Sequence, residues 1–259
     1  MPDASSYTDI NAQTIDRWVA EGWEWGTPID HETFARAQAG EWEIVLTPTK
    51  AVPRAWFPPL VGCRTLGLAC GGGQQMPILT AAGARCTVLD NSLAMLEADK
   101  SVAEREGYSI EIVRADMTKP LPFEDASFDL VINPVSLCYV REVEPIWQEV
   151  ARVLRPGGVL LAGFETVLNQ IVDEDEVRIV RGHPADPLTQ PDFAAELEAG
   201  DFGMQFSHSL DELLGGLLRA GFIINDLFED TNGEGRLHEL GIPTMLAVRA
   251  TRAPRPESS

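Results

Sequence analysis

The stretch GLACGGGQQ, residues 67–75, decides the fold because three consecutive glycines follow a short apolar run. The segment after it, Met76 to Ala82, has the pattern of a helix. Without a Cβ, a glycine turn lets a ligand contact the main chain directly. The start of the following helix adds unpaired N–H groups and a partial positive charge. The stretch therefore predicts a strand–turn–helix unit that binds a ligand carrying a carboxylate or a phosphate.

Strand and helix patterns alternate around this turn. Five strands are predicted by the runs RTLGLA, ARCTVLD, SIEIVRAD, SFDLVINPVS and VLLAGFE. Helices are predicted after the first, second and fourth strands, and the last of these is expected to stop at Pro156-Gly157-Gly158. Two closing strands with a loop between them are predicted by FIINDLFED and TMLAVRATR, and Ser209 with Glu212 predicts a capping box ahead of them. This alternation indicates an α/β fold with a doubly wound, parallel sheet.

The first sixty residues differ in composition, since they hold five of the six tryptophans. Two short helices are expected there, with Thr14 and Asp30 as N-caps, and together they form a cap over the ligand cleft. The indoles are expected to fill a satellite core; the alternative is that Trp23, Trp25 or Trp56 lines the ligand site. The chain is expected to divide into a helical cap, a main domain with an insertion after strand five, and a disordered tail: residues 1–60, 61–252 with the insertion at 165–208, and 253–259.

Charge and cysteine content restrict the class of partner. The 259 residues carry 40 acidic and 20 basic side chains, a formal net charge of −20, and such a surface repels nucleic acid and anionic lipid. The four cysteines form no C-x-x-C pair, which favours reduced core residues over a disulfide framework or a metal site. The segment MPDASSYTDIN lacks the pattern of a signal peptide, and no apolar run approaches the ~18 residues of a membrane span. A cytoplasmic protein without a metal, a nucleic-acid partner or a membrane association is expected.

Two aspartates stand where strands of this topology end. Asp90 ends the second strand beside the glycine turn, and its carboxylate can accept two hydrogen bonds at once, as a ribose diol requires. The alternative is that Asp90 caps the helix that begins near Ser92. Asp116 ends the third strand, where it can accept from an exocyclic amine while Met117 packs on a purine ring. An Asx-turn aspartate and a core methionine are the alternative there.

Four segments together resemble the class I S-adenosylmethionine-dependent methyltransferases, in particular their bacterial methyltransferase-11-like branch: TLGLACGGG, VLD, RADMTKPLPFEDASFDLVIN and VARVLRPGGVLLAG. The resemblance covers about Cys63 to Glu165 and resumes more weakly from Ser209 to Arg252. It implies a Rossmann-like, seven-stranded, mostly parallel sheet, S-adenosylmethionine as cofactor, and methyl transfer to a small-molecule acceptor by in-line displacement. It implies no particular acceptor and no oligomeric state. The cofactor-binding residues are expected to be Ala69, Gly71, Gly73, Gln75, Asp90, Asn91, Asp116, Met117 and Asn133.

The chain departs from the family pattern in two places. Gly67 stands where the family often has an acid, and Ala69 stands where it often has a glycine. Loss of that acid is expected to weaken contacts to the methionine amino group of the cofactor, or to shift them to carbonyls near Ala69. Gln74 and Gln75 are expected to contact the carboxylate or the amine at this methionine end.

The sequence assigns no catalytic residue, but three candidates follow from position. Asn133, with Ser136, could orient an acceptor after strand four, and Tyr139 could wall its pocket. His183 is a candidate base because it lies in the insertion, where acceptor pockets of this fold are usually assembled. The alternatives are that Asn133 simply ends its strand and that His183 is a surface histidine.

Two other functions compete with methyl transfer. An NAD(P)-dependent oxidoreductase requires a third small residue in the turn, in the pattern G-x-G-x-x-G, and Met76 occupies that position. A binding module that kept the fold and lost the chemistry is the second alternative, although Asp90 and Asp116 are both in place. A protein or RNA acceptor also stays open, with RNA disfavoured by the acidic charge.

Overall fold

The structure, a computed structural model, describes residues 7–254. Part of the MPDASSYTDIN segment and most of the predicted tail at 253–259 lie outside the described residues. The strands are β1 (Arg64–Leu68), β2 (Arg85–Asp90), β3 (Glu111–Arg114), β4 (Phe128–Asn133), β5 (Leu154–Glu165), β6 (Phe222–Asp230) and β7 (Met245–Arg252). They form one sheet in the order β3-β2-β1-β4-β5-β7-β6, with β7 antiparallel to both neighbours. This arrangement confirms the Rossmann-like, mostly parallel sheet that the sequence predicts.

The helices of residues 7–254 are α1 (Tyr7–Ala20), α2 (His31–Gln38), α3 (Gln75–Ala81), α4 (Leu93–Glu106), α5 (Glu144–Val153), α6 (Leu168–Ile171), α7 (Pro191–Ala199), α8 (Gly216–Arg219) and α9 (Gly235–Glu239). None of these described helices is long and apolar enough to cross a bilayer. Asp30 caps α2 as predicted, since its side chain accepts the N–H of Thr33 at 2.8 Å. The cap predicted at Thr14 is wrong, because α1 already begins at Tyr7, whose ring packs edge-on against Phe206.

Two predicted boundaries differ from the structure. Helix α5 ends at Val153, before the predicted stop at Pro156-Gly157-Gly158, and β5 begins at Leu154. The reason is that a proline disfavours the helical conformation in the residue before it, so Arg155 is already extended. The predicted loop between the two closing strands contains the short helix α9.

Hydrophobic clusters cover both faces of the sheet, which confirms the doubly wound arrangement. Along β4, Leu130 and Ile132 join one cluster while Val131 joins the other, because successive strand residues point to opposite faces. The expected satellite core of tryptophans is wrong for Trp56, which lies in the main core and donates from Nε1 to Asp226 at 3.0 Å. Other cap residues in this same cluster are Ala37, Ile44, Leu46 and Val52. The cysteines lie buried and unbridged, as predicted: Cys63, Cys70, Cys86 and Cys138.

The capping box ahead of the closing strands is present. The backbone N–H of Ser209 donates to the Glu212 carboxylate at 2.8 Å, and the N–H of Glu212 donates to the Ser209 hydroxyl at 3.2 Å. The turn that follows, Asp211–Gly215, is π-helical before the chain enters α8. The sequence predicts the start of this helix but not its wider first turn.

Candidate active site

Two adjoining cavities open where β1, β2 and β4 end. The Asp90 cavity, named after the aspartate in its wall, also contains Asp116 and has an empty volume of about 670 Å³ including its mouth. The Glu165 cavity, named after the glutamate at the end of β5, has a volume of about 780 Å³ on the same measure. Five residues line both cavities: Trp23, Ala69, Met95, Val135 and Tyr139.

Asp90 stands at the end of β2 and holds two backbone groups. Its Oδ2 accepts the N–H of Gly71 at 3.1 Å, and its Oδ1 accepts the N–H of Ser92 at 2.9 Å. Ser92, not Asp90, is the N-cap of α4, because its side chain accepts the N–H of Met95. Burial raises the pKa of Asp90, and these backbone hydrogen bonds oppose that rise. Each carboxylate oxygen keeps acceptor capacity for a ligand in the Asp90 cavity.

The far end of the Asp90 cavity contains the other predicted nucleoside contacts. Asp116 and Met117 both line it, while Asp116 also accepts the N–H of Thr118 at 2.8 Å in an Asx-turn. The two interpretations of Asp116 are therefore compatible. Asn91 lines the same cavity and donates from Nδ2 to the carbonyl of Thr8 in α1 at 3.1 Å. The cap thus closes over the strand ends, as the sequence predicts.

The glycine turn is packed mainly by the protein's own chain. Gly72 has a φ of +98°, and a Cβ there would collide with the carbonyl oxygen of Trp25 in the cap. A Cβ on Gly73 would stand 2.9 Å from the carbonyl oxygen of Ala98 in α4. Of the three glycines, Gly71 lines a cavity, whereas Gly73, an expected cofactor contact, lines neither. Residues of the cap and of α4 therefore occupy the space beside Gly72 and Gly73.

Asp99 fixes the turn from the side of α4. Its Oδ2 accepts the N–H of Gly73 at 3.1 Å, and its Oδ1 has no hydrogen-bond partner among the described residues. Burial is the main cause that raises the pKa of Asp99 to about 8, and nearby Asp90 adds to it. The sequence analysis did not single out this residue, because inside an amphipathic helix it looks like a surface acid.

One of the two departures from the family pattern, Gly67, has a local explanation. A Cβ on Gly67 would stand 2.7 Å from the sulfur of Met76, so the buried methionine occupies the space that an acid at this position would need. Ala69 has a φ of +45°, in the left-handed region where a glycine is unstrained. Ala69 nonetheless donates its N–H to Leu89 at 2.8 Å and lines both cavities.

Gln74 and Gln75 both line the Glu165 cavity next to the turn. Gln74 donates from Nε2 to the carbonyls of Glu24 and Thr27 at 2.8 and 3.0 Å. Gln75 donates from Nε2 to the carbonyl of Val45 at 3.4 Å. Backbone carbonyls of the cap therefore hold both amide groups in place beside the glycine turn.

The three candidate catalytic residues separate in the structure. Tyr139 lines both cavities, and burial raises its pKa well above the ordinary value, so the phenol stays protonated. Asn133 lines neither cavity; its Nδ2 donates to the carbonyl of Leu68 at 2.8 Å and thereby ties β4 to β1. His183 is exposed, pairs with the Ser207 hydroxyl at 2.8 Å and also lies outside both cavities. Geometry therefore retains Tyr139 alone of the three as a cavity residue.

Of the cap tryptophans, Trp23 lines both cavities and Trp25 lines the Glu165 cavity. Sequence reasoning missed Glu165, the one charged residue among the described residues that line the Glu165 cavity. The same pattern that draws attention to Asp90 was present there, since Glu165 ends the apolar run VLLAGFE just as Asp90 ends CTVLD. Within residues 7–254 no group of three or more metal-binding side chains is assembled.

Comparison with known proteins agrees with the sheet order and the strand-end cavities. The family model described as a methyltransferase domain matches residues 66–162. The chain is 37% identical over 230 residues to YbaJ of Bacillus subtilis (strain 168), an uncharacterised methyltransferase, across 86% of this chain and 90% of that protein. The chain therefore belongs to the class I S-adenosylmethionine-dependent methyltransferases, and S-adenosylmethionine is its methyl donor.

Other relatives extend this result. Over 109 residues the chain is 38% identical to a demethylmenaquinone methyltransferase of Clavibacter sepedonicus, covering 42% of this chain and 44% of that protein. The crystal structure of an S-adenosylmethionine-dependent methyltransferase from Mesorhizobium loti shares the fold with a TM-score of 0.59 and 24% identity, over 77% and 95% of the two chains. The family assignment sets aside both the NAD(P)-dependent oxidoreductase and the non-catalytic module.

Proposed function

We propose that the protein methylates a small, neutral or cationic molecule bound in the Glu165 cavity. The cofactor S-adenosylmethionine binds in the Asp90 cavity and extends across the boundary between the two cavities. The observation that carries this proposal is the position of Asp90 at a strand end beside the glycine turn, with acceptor capacity left over. When bound, the cofactor supplies a methyl group already activated on a sulfonium centre. The protein then has to position the acceptor and exclude water.

Named residues fit the parts of the cofactor. Asp90 accepts the ribose hydroxyls, and Asp116 accepts from the exocyclic amine of the adenine. Met117 packs on the purine ring. The remaining contacts are assigned to Ala69, Gly71, Gln75 and Asn91, which line the same cavities.

The cap and the turn after β4 together exclude water. Trp23 and Tyr139 line both cavities, and Trp25 closes the Glu165 side. Fixing an acceptor in line with the methyl group contributes up to ~7–11 kcal/mol in the best cases. These aromatic side chains therefore support transfer by in-line displacement, since they restrict the orientations open to an acceptor.

The lining also favours one charge class of acceptor. Among the described residues, no lysine or arginine lines either cavity, whereas three carboxylates do: Asp90, Asp116 and Glu165. An anionic acceptor would therefore meet only like charge among the charged side chains of the lining. The likeness to a demethylmenaquinone methyltransferase supports a small-molecule acceptor, and four unbridged cysteines support a cytoplasmic location.

The test removes the ribose contact. Asp90→Ala should weaken S-adenosylmethionine binding by ~1.5–3 kcal/mol for each hydrogen bond to charge that is lost, measured by calorimetry. The matched control is Asp175→Ala, an exposed aspartate of the insertion. In the same samples S-adenosylhomocysteine should raise the melting temperature of the wild type and NAD should not. Equal cofactor affinity in the two variants would refute the ribose assignment.

A further inference from the structure

Glu165 faces its cavity from the last position of β5. Its backbone pairs with Met245 of β7, and both side chains line the cavity. The Oε2 atom accepts the side-chain N–H of Gln170 at 2.9 Å. The same Gln170 nitrogen donates to Gln205 at 2.9 Å, so the buried amide is held from two sides. Glu165 is therefore fixed in place by a strand and by an oriented neighbour.

No cation neutralises this carboxylate within the described chain. Its hydrogen-bonding neighbours are the neutral side chains of Gln170, Asn169 and Cys138. Burial raises the pKa of Glu165, because an ionised carboxylate is poorly solvated there. Burial raises the pKa of Asp90 as well, but there the hydrogen bonds that oppose the rise come from fixed backbone N–H groups, those of Gly71 and Ser92. A ligand that brings a positive charge would remove the cost of the charge at Glu165.

The remaining wall of the Glu165 cavity is mainly apolar. It combines aliphatic side chains with indole rings, and these suit the hydrocarbon part of a ligand. Aromatic faces also attract cations, which adds to the effect of the carboxylate. The residues concerned are Trp23, Trp25, Val45, Leu46, Val135 and Met245.

We propose that the methyl acceptor is an apolar amine, and that Glu165 binds its ammonium group and removes the proton. This inference rests on the function proposed above and specifies its substrate class. One N–H bond of the ammonium breaks, its proton passes to Glu165, and its electron pair stays on nitrogen. The products of this step are a neutral amine with a free lone pair and a protonated Glu165 carboxyl, so charge and protons balance.

Tyr139 does not compete for this role. Burial raises the pKa of its phenol, so a phenolate able to take the proton is not populated at neutral pH. Burial raises the pKa of the Cys70 and Cys138 thiols as well, so neither of these two wall residues supplies a thiolate base. Glu165 is therefore the base that the cavity provides.

The experiment measures thermal stabilisation of the full chain saturated with S-adenosylhomocysteine. The probes are 2-phenylethylamine and butylamine, with 2-phenylethanol and 3-phenylpropanoate as the neutral and anionic counterparts. At least one amine should raise the melting temperature further, and the alcohol and the carboxylate should not. Glu165→Gln should weaken amine binding by ~30-fold or more, as expected when one partner of a buried charge pair is lost.

Two comparisons separate a binding role from a structural one. Glu229→Gln, at an exposed position of β6, changes the net charge equally and should leave the amine response intact. Without any amine, Glu165→Gln should melt no lower than the wild type, because the glutamine removes an uncompensated charge. A structural carboxylate would instead give a lower melting temperature when it is replaced.

Each result has one meaning. Three results would each overturn the inference. The alcohol could stabilise the protein as much as the amines do, neither amine could stabilise it, or the stabilisation by amines could persist in Glu165→Gln. Failure of S-adenosylhomocysteine to stabilise the wild type would instead overturn the proposed function. The two failures are distinguishable because the cofactor product is tested alone before any amine is added.

Discussion

The Asp90 cavity and the Glu165 cavity lie side by side but are built differently. The Asp90 cavity combines strand ends with residues of the cap, and its carboxylates hold the backbone of the turns that carry them. The Glu165 cavity takes its walls from segments far apart in sequence, including residues 45–48 of the cap, the turn after β4 and the start of β7. Sheet topology places the carboxylates of the Asp90 cavity, whereas the walls of the Glu165 cavity depend on how the cap and β7 pack against the sheet.

The prediction with the largest expected effect on stability concerns the contact between the glycine turn and the cap. Gly72→Val should cost about 3–5 kcal/mol, because its side chain collides with the Trp25 carbonyl in a left-handed conformation. Chemical denaturation measures the loss, and S-adenosylhomocysteine binding should fall with it.

The matched control for that variant is Gly22→Val. Gly22 has a φ of +93° but no atom within 4 Å of the position of a Cβ. It should cost about 1–2 kcal/mol from backbone strain alone. Equal losses at Gly22 and Gly72 would show that the turn does not depend on the cap.

The second test uses pH and concerns Asp99. The pKa of Asp99 is raised by burial to about 8, whereas an unfolded aspartate titrates near ~3.9. The folded state therefore holds the proton more tightly, and stability falls as pH rises between these values. Asp99→Asn should raise the free energy of unfolding by ~1–3 kcal/mol above pH ~8 and change it little near pH ~4. Unfolding curves at the two pH values measure the difference.

Glu104→Gln is the control for that test, since it removes an exposed acid from the same helix. Its effect on stability should be small at both pH values. If Asp99→Asn stabilises the protein equally at the two pH values, the folded state does not hold a protonated Asp99.

The smallest expected effect concerns the turn after β4. His208 is buried and contacts the carbonyls of Leu137 and Val140 at 3.0 and 2.9 Å. Burial lowers the pKa of His208, so stability is present above pH ~6.5 and falls as pH drops through the lower folded value. In thermal melts, His208→Gln should reduce the loss of stability at acid pH. If the loss is unchanged, other titrating groups cause it.

Local patterns predicted where Asp90 and Asp116 stand in the fold. Asp90 and Asp116 end apolar runs, and the order of strands then places them at one edge. The packing around the glycine turn was not predicted, because it depends on contacts between residues far apart in the sequence. The space beside Gly72 is filled by the carbonyl of Trp25, 47 positions earlier in the chain. Glu165 carried the same local pattern as Asp90, but its cavity exists only because the cap and β7 meet there.

The contact between position 67 and Met76 makes these two sites a coupled pair. The methionine sulfur occupies the place that a longer side chain at Gly67 would take. Exchanging either residue alone would leave a clash or a void, so substitutions at the two sites would show epistasis instead of adding. Introducing the acid common in related enzymes therefore requires a shorter residue at 76 in the same step.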